Sequence, residues 1–400
     1  MKMSRCGRAL FFLMWMGTAA HGQTYDDWRA TLHTLQTSSR YDSIWNGLKH
    51  QKRLPLICED SVAFLYRGEA RTVEWNGDFN QWGYNKNFNN KGVLLRAPDV
   101  WMLKARFEPN ARIDYKIVVN GSQWILDPTN TQQQWSGVAG GSPNSELRMP
   151  RWREDQLLRE NPALPKGTLI EDILFESSRI GYQLTYSVYL PPAYEQLTDL
   201  PIVFFTDGYE YLHPRMGNAF TVLNNLIGSK LIRPVVAVFL DHREPANRAN
   251  NRRMDELNMN PRYLAFFKEE LIPEIERSYR VSHKPADRAI VGTSMGGLSA
   301  AYFLFSAPDI FGKAGIQSPA FWKSPQVYTL CDQAKGLSIE ISMTAGTIHD
   351  TSESTRRMRD ILEKNACVYH YREVPDGHSW GNWRNLLDEV LSDLFGSDAR

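Results

Sequence analysis

The feature that most constrains the fold is an alternation of apolar strand-like runs and helical runs that begins near Lys166 and continues to the end of the chain. Strands that are apolar along their whole length are typical of a parallel sheet with both faces covered by helices. Residues 166–400 are therefore predicted to form an α/β unit. Its predicted strands are Leu169–Phe175, Leu184–Leu190, Pro201–Phe205, Val235–Leu240, Ala289–Val291, Ala314–Gln317, Ile339–Thr344 and Val368–Val374, and its main helices are Tyr263–Tyr279, Leu298–Ser306, Ser352–Asn365 and Trp383–Leu394.

A glycine-x-serine-x-glycine motif stands between one of these strands and one of these helices. It spans residues 292–296, with Ser294 at its centre. Such a turn exposes the serine hydroxyl at the carboxyl edge of the sheet, and the helix N-terminus behind it favours developing negative charge. The motif predicts Ser294 as a catalytic nucleophile, with an ordinary turn as the alternative.

A serine hydroxyl needs a base, and three histidines follow Ser294 in the chain. His370 lies inside a predicted strand, which favours a surface role. His378 follows the last predicted strand, where this class of fold places its base. His349 stands in a loop, where it would be a substrate contact or an exposed side chain. We therefore predict His378 as the general base.

The acid of the triad should follow the preceding strand, and Asp350 is the first candidate there. It would hold the imidazole in the required tautomer and stabilise the imidazolium. Glu353 is the second candidate, and capping of the next helix is the other interpretation of Asp350.

An oxyanion hole needs two backbone N–H groups. One is expected from Met295, directly after the nucleophile, and the other from Tyr209 or Gly208 in the loop after the third strand.

The first part of the chain has a different pattern. Residues 23–57 predict a helical lead-in, because Trp28, Leu32 and Leu35 share one helix face. Residues 58–150 carry short β-type runs separated by Gly, Asn and Pro, as in a small sandwich. Residues 151–165 are charged and carry turn signals, which predicts a linker to the unit over 166–400.

Within residues 58–150, the stretch Asn76–Trp82, then Trp101, Tyr115-Lys116 and Asp127-Pro128, resembles the immunoglobulin-like early-set domain related to glycogen-binding modules. The resemblance implies an all-β sandwich ahead of the catalytic unit. It also implies that Trp82 or Trp124 could stack on a sugar ring, with packing in the core as the alternative. We expect this region to shape substrate access rather than to perform chemistry.

The catalytic half resembles the esterase D-type family of α/β-hydrolases, which includes enterochelin esterases, feruloyl and acetylxylan esterases and mycolyltransferases. The resemblance rests on residues 188–194, Asp207-Gly208, residues 292–297 and residues 377–384, and it is strongest to enterochelin esterase-like proteins. It implies that Arg253 and Glu256 line the substrate side of the site. A surface ion pair at a helix start is the alternative for these two residues.

The N-terminus predicts export. Lys2, Arg5 and Arg8 precede the apolar run Ala9–Ala20, which is too short to span a bilayer, and small residues place a cleavage site before Gln23. Residues 1–22 are thus a predicted signal peptide, and no other stretch is apolar and long enough to cross a membrane. The mature chain is expected in the periplasm or outside the cell.

Composition excludes some partners. The formal net charge is +1, which argues against a nucleic-acid partner attracted by bulk charge. Beyond the signal peptide the cysteines are Cys58, Cys331 and Cys367, whose spacing fits no zinc site. Buried thiols are expected, with a Cys331–Cys367 bridge as the alternative. No metal or organic cofactor is implied.

The combined prediction is a secreted serine esterase that forms an acyl-enzyme. Its substrate would be a catecholate siderophore ester or a feruloyl or acetyl ester on a polysaccharide. Acyl transfer to a sugar would use the same residues, and a carbohydrate-binding protein without activity is the rival from another class.

Overall fold

The computed structural model describes residues 24–137 and 142–396. The predicted signal peptide over residues 1–22 lies outside the described residues. In the part that is described, two helices come first, then two antiparallel sheets, then one large mixed sheet covered by helices.

The chain enters through helix α1 (Tyr25–Thr37), followed by α2 (Tyr41–His50). Thr24 caps α1, because its hydroxyl accepts a hydrogen bond from the Asp27 N–H while the Asp27 carboxylate reaches back to Thr24. The predicted apolar face is present, since Trp28, Leu32 and Leu35 are all buried. They pack on the outer face of the first antiparallel sheet.

Among the described residues, nine short strands form the two antiparallel sheets. One sheet has the order β1-β2-β5-β4, and the other has the order β3-β6-β9-β8 with β7 paired to β6. The strands are β1 (Leu56–Cys58), β2 (Ser61–Arg67), β3 (Val73–Gly77), β4 (Val93–Arg96), β5 (Val100–Arg106), β6 (Arg112–Val119), β7 (Gln123–Ile125), β8 (Gln133–Ser136) and β9 (Ser142–Arg148).

The inner faces of these two sheets share one core. Phe64 of β2 is fully buried, and its ring contacts the rings of Trp75, Phe79, Phe107 and Tyr115. Alternation along β2 explains this packing, because successive side chains of a strand point to opposite faces of the sheet. We call residues 56–148, which form the two sheets, the antiparallel region.

In the part of the chain that the structure describes, the large sheet has eight strands in the order β10-β11-β13-β12-β14-β15-β16-β17. The first two pairings are antiparallel and the remaining five are parallel, which confirms the predicted mainly parallel sheet. The strands are β10 (Thr168–Ser177), β11 (Tyr182–Leu190), β12 (Ile202–Phe205), β13 (Val236–Asp241), β14 (Arg288–Thr293), β15 (Lys313–Gln317), β16 (Glu340–Gly346) and β17 (Val368–Val374).

Helices cover both faces of this sheet. Along β12, Phe204 packs into the core on one face while Val203 and Phe205 pack into the core on the other. The helices are α3 (Gly208–Leu212), α4 (Ala219–Gly228), α5 (Arg253–Leu257), α6 (Pro261–Phe266), α7 (Ile272–Ser278), α8 (Met295–Ser306), α9 (Val327–Gln333), α10 (Ser352–Lys364), α11 (Trp380–Arg384) and α12 (Leu387–Phe395).

Two predicted helices differ in detail from the structure. The helix predicted over Tyr263–Tyr279 is α6 and α7 joined by a π-helical segment, Phe267–Leu271. The helix predicted over Trp383–Leu394 is split into α11 and α12. Periodicity alone does not register such breaks, because the apolar face continues across them.

The segment over residues 151–165 is irregular but packed. It contains one 3₁₀ turn, Gln156–Leu158, and Leu158 is buried. The Asn225 side-chain amide of α4 donates to the carbonyl oxygens of Leu157 and Arg159, both at 2.8 Å. These bonds hold the segment against the large sheet's helical layer.

The alternative of a Cys331–Cys367 bridge is wrong, since both residues are thiols. Cys331 is buried, and burial raises the pKa of its thiol to about 12, which makes it unreactive. Over residues 24–137 and 142–396, no helix combines the length and apolarity that a bilayer span requires.

We predict that Phe64→Ala lowers the free energy of unfolding by about 3–5 kcal/mol, because it leaves a cavity among four aromatic rings. Urea unfolding followed by circular dichroism measures the change. Val93→Ala is the matched control, since Val93 is 58% exposed and its truncation should change stability by less than about 0.5 kcal/mol. Equal midpoints for the two variants would contradict this account of the core.

Candidate active site

Ser294 stands at a sharp turn between β14 and α8. Its backbone has φ 56° and ψ −114°, a strained conformation for a residue with a side chain. The flanking glycines make the turn possible. A Cβ on Gly292 would lie 2.3 Å from the Gly296 carbonyl carbon, and a Cβ on Gly296 would lie 2.2 Å from Thr206 Oγ1. The spacing of the motif is therefore a packing requirement.

The structure brings His378 to Ser294. His378 lies in the loop after β17, and its Nε2 is 2.9 Å from Ser294 Oγ. The imidazole is about one-third exposed and packs edge-on against the Trp383 ring. With Nε2 at the hydroxyl, a neutral imidazole can accept the serine proton.

Asp350 completes the series. Its Oδ1 is 2.6 Å from His378 Nδ1, and its Oδ2 accepts hydrogen bonds from Ser318 Oγ and from the Gly346 N–H at 2.6 Å. The Asp350 side chain is inaccessible to solvent. Both carboxylate oxygens are occupied, so the carboxylate cannot rotate away from the imidazole.

The other candidates for base and acid lie elsewhere. Glu353 is exposed in the first turn of α10, and Thr351 rather than Asp350 is the cap residue of that helix. His349 is exposed, and His370 is exposed on β17, where its Nδ1 lies 3.6 Å from Asp393.

The predicted oxyanion donors lie at the starts of two helices. Met295 opens α8, and Gly208 and Tyr209 open α3, so their N–H groups belong to first turns that lack intrahelical acceptors. Gly208 packs against β13 so closely that a Cβ would lie 2.4 Å from the Phe239 carbonyl carbon. This contact brings α3 against the carboxyl edge of the sheet.

Arg253 and Glu256 lie on the same helix, α5, but have different surroundings. Arg253 lines the cavity that contains Ser294, and its guanidinium binds both oxygens of Asp207 and reaches the Thr293 carbonyl at 3.3 Å. Glu256 is not among the side chains that line that cavity, and its place on the substrate side of the site stays a prediction. It is buried beside His242, and it is not part of a surface ion pair.

Glu256 contacts His242, which in turn binds the backbone of Asp207. The carboxylate contacts His242 Nδ1 and accepts a hydrogen bond from the Tyr182 hydroxyl at 2.5 Å. On its other side, His242 Nε2 accepts the Asp207 N–H at 3.2 Å. The network therefore supports the backbone just before Gly208. The sequence feature that could have pointed to His242 is its position directly after β13.

A cavity of about 640 Å³ opens above Ser294 and His378, between the antiparallel region and the large sheet. The large-sheet side contributes Glu210, Asn251, Arg253, Trp380 and Trp383. The antiparallel region contributes Asp78, Trp82, Tyr84, Asp114, Lys116 and Trp124. Trp82 is half-buried and Trp124 is 48% exposed, so neither belongs to the core that the two antiparallel sheets share.

Sequence reasoning missed the pair formed by Glu210 and Trp380. Glu210 Oε2 accepts a hydrogen bond from Trp380 Nε1 at 2.6 Å on the cavity wall. Burial, assisted by the nearby Asp207, raises the pKa of Glu210 to about 6. Trp380 is two residues from His378, whereas no pattern in the chain links it to Glu210.

Within residues 24–137 and 142–396, no cluster of three or more His, Cys, Asp or Glu side chains has the arrangement of a metal site. Ser294, His378 and Asp350 form one hydrogen-bonded series, and Ser294 and His378 line the cavity.

The chain is similar to known esterases. The model of the Esterase family, described as "Putative esterase", matches residues 177–394. The iron(III) enterobactin esterase of Escherichia coli strain K12 is 27% identical over 341 residues, which cover 79% of each protein. The endo-1,4-beta-xylanase/feruloyl esterase of Xylanibacter ruminicola is 25% identical over 238 residues, 56% of this chain and 31% of that one.

The fold also has solved counterparts. The crystal structure of ferric enterobactin esterase from Salmonella typhimurium superposes with a TM-score of 0.69 at 20% identity, covering 84% of this chain and 93% of that one. The fold is thus of the α/β-hydrolase type, in the class of the esterases. The chain belongs to the Esterase family and is a carboxylic ester hydrolase.

We predict that Asp350→Asn lowers kcat on the order of 10⁴-fold, because an amide would favour the wrong imidazole tautomer. Steady-state hydrolysis of p-nitrophenyl acetate measures the effect. Glu353→Gln is the control. It should leave kcat within about twofold, because Glu353 is exposed and substitutions at exposed positions usually have small effects. Damage confined to the Glu353 variant would reverse the assignment of the acid.

Proposed function

We propose that the chain hydrolyses esters with Ser294 as nucleophile, His378 as general base and Asp350 as the acid that orients His378. The observation that carries this proposal is the unbroken hydrogen-bonded series Asp350–His378–Ser294 at the floor of a cavity. A strained turn and three co-aligned groups at hydrogen-bonding distance are what nucleophilic catalysis by serine requires.

The reaction would run in two halves. Ser294 Oγ attacks the ester carbonyl while His378 Nε2 takes the hydroxyl proton, and the N–H groups of Met295 and of Tyr209 or Gly208 stabilise the oxyanion. Collapse of this intermediate expels the alcohol, which receives the proton from His378. Water then attacks the acyl-enzyme with His378 again as base, and the carboxylic acid leaves.

We further propose a catecholate siderophore ester as the substrate class. The match to iron(III) enterobactin esterase includes much of the antiparallel region as well as the large sheet, since it covers 79% of the chain. Three aromatic side chains of that region, Trp82, Tyr84 and Trp124, face the cavity and offer flat surfaces to an aryl ring. Lys116 lines the same wall and offers a positive charge to an anionic substrate.

A feruloyl or acetyl ester on a polysaccharide is the second candidate. The match to a xylanase/feruloyl esterase favours it, as does the expected export, because polysaccharides are met outside the cytoplasm. Product chromatography after incubation with enterobactin, methyl ferulate and acetylated xylan separates the two candidates. Appearance of acylated sugar would instead indicate acyl transfer, and no turnover of any ester would indicate a binding protein.

We propose the following organisation for the whole chain. Residues 1–22 are a signal peptide, 23–57 a helical lead-in, 58–150 an immunoglobulin-like early-set domain, 151–165 a linker and 166–400 the esterase domain. Two sheets that face one aromatic core support the sandwich assignment. N-terminal sequencing of the mature protein tests cleavage before Gln23.

We predict that Ser294→Ala lowers turnover of p-nitrophenyl acetate on the order of 10⁴-fold or more, because it removes the nucleophile. Its thermal unfolding transition should match that of the wild type. A folded Ser294→Ala variant with full activity would exclude Ser294 from the mechanism.

We predict that Trp124→Ala lowers kcat/KM about fivefold on a bulky aromatic ester, since a ring–ring contact contributes about 1 kcal/mol. Hydrolysis of p-nitrophenyl acetate should change less than about twofold, because so small an ester gains little from remote contacts. Leu174→Ala, at an exposed position of β10 outside the cavity, is the control. Equal losses on both esters would show that Trp124 does not form a substrate subsite.

A further inference from the structure

The antiparallel region is joined to the loop that carries His378 by a fully buried arginine. Arg112, at the start of β6, donates from Nε to Glu146 and from Nη2 to Asp114, both within the antiparallel region. Its Nη1 donates to Asp376 Oδ1 at 3.1 Å and to Ser379 Oγ at 3.0 Å. The last two acceptors flank His378 in the chain.

The Arg112 backbone adds another bond to the same loop. Its N–H donates to the Pro375 carbonyl oxygen at 3.1 Å. The loop over residues 375–379, which we call the base loop, is thus bound to β6 at its beginning and at its end, and the bonds include both side-chain and main-chain groups.

Asp376 connects the base loop to the loop that carries Asp350. Its carbonyl oxygen accepts the Ile348 N–H at 3.1 Å, and its carboxylate accepts the Gly377 N–H at 2.9 Å as well as the Arg112 guanidinium. A displaced Asp376 would therefore move the base loop and the Asp350 loop together.

Close packing leaves the base loop no room to shift toward the antiparallel region. A Cβ on Gly377 would lie 2.1 Å from Asp78 Cγ, and a Cβ on Gly381 would lie 1.8 Å from Arg112 Cζ. The backbone on both sides of His378 consequently rests directly on side chains of the antiparallel region.

The charges of this junction make Arg112 hard to replace. Asp78, Asp114, Glu146 and Asp376 are all buried around it. Burial raises the pKa of Asp376 to about 7 even though Arg112 opposes that rise. Loss of the guanidinium would leave buried carboxyl groups without their partner, which favours rearrangement of the base loop that carries Asp376.

We propose that Arg112 is a positioning residue for catalysis: it reaches from the antiparallel region to Asp376 and Ser379 and holds the base loop so that His378 stays in line with Ser294 and Asp350. The proposal rests on the proposed role of His378 as general base. It assigns the antiparallel region a part in the chemical step, in addition to its part in forming the cavity wall.

The experiment compares Arg112→Ala, Arg112→Lys and Ser379→Ala in the full chain, with p-nitrophenyl acetate as substrate. Arg112→Ala should lower kcat about 100-fold with KM nearly unchanged, because a small displacement of a catalytic group has an effect of that order. Arg112→Lys should lose less, since an ammonium group keeps the charge but not the fork of donors. Ser379→Ala keeps the whole ion cluster and should show a smaller loss, again in kcat.

Chemical rescue distinguishes positioning from a general structural role. Millimolar guanidinium should restore a large part of the kcat of Arg112→Ala, whereas sodium chloride at equal ionic strength should not. Arg148→Met is the matched control. Arg148 also pairs with Glu146, but from the partly exposed side and away from the cavity, so its loss should leave kcat unchanged.

The proposal is overturned if folded Arg112→Ala keeps wild-type kcat, if its loss lies in KM alone, or if guanidinium fails to rescue it. Should Arg112→Ala not fold, unchanged kcat in both Arg112→Lys and Ser379→Ala would overturn the proposal. Ser294→Ala, assayed in parallel, separates this result from the proposed function. An inactive Ser294→Ala beside a fully active Arg112→Ala removes only the positioning role, whereas an active Ser294→Ala removes the mechanism itself.

Discussion

The strained turn at Ser294 is the constraint on which the site depends. Its positive φ presents the hydroxyl at the carboxyl edge of the sheet, and that conformation requires glycine at positions 292 and 296. The turn persists because its surroundings hold it. The Ser294 N–H donates to the Gln317 carbonyl oxygen of β15, and the Ser294 carbonyl oxygen accepts the Ala320 N–H, each at 2.9 Å. The parallel sheet thereby stabilises a backbone conformation that would be unfavourable in isolation.

Two polar networks extend from this turn in opposite directions. On one side, Arg253 and His242 converge on Asp207 and support the first turn of α3, beside the expected oxyanion donors. On the other side, Asp350 is hydrogen-bonded to His378, and Arg112 binds the loop in which His378 lies. Buried polar groups that satisfy one another in this way restrict the movement of the segments that carry them. His378 and Asp350 lie on loops, and these networks bind both loops to neighbouring elements.

The relatives in the Esterase family differ in how much of the chain they match. The match to the enterobactin esterase of Escherichia coli strain K12 covers 79% of the chain, whereas the match to the xylanase/feruloyl esterase covers 56%. A cavity formed between two regions can change specificity through one wall while the chemistry stays on the other. In this chain, the aromatic wall containing Trp82 and Trp124 belongs to the antiparallel region, and Ser294 belongs to the large sheet.

The amino-acid sequence by itself determined what depends on local order. The sequence predicted three features that depend on neighbours in the chain. They are the strand and helix periods, the turn at residues 292–296 and the position of His378 after the last strand. The tertiary structure alone decided what depends on distant partners. Glu256 is buried against His242, Trp124 faces the cavity rather than a core, and Arg112 meets Asp376 across a separation of 264 residues. The sequence shows which residues are charged or aromatic. Which residues they contact depends on how the distant parts of the chain pack together.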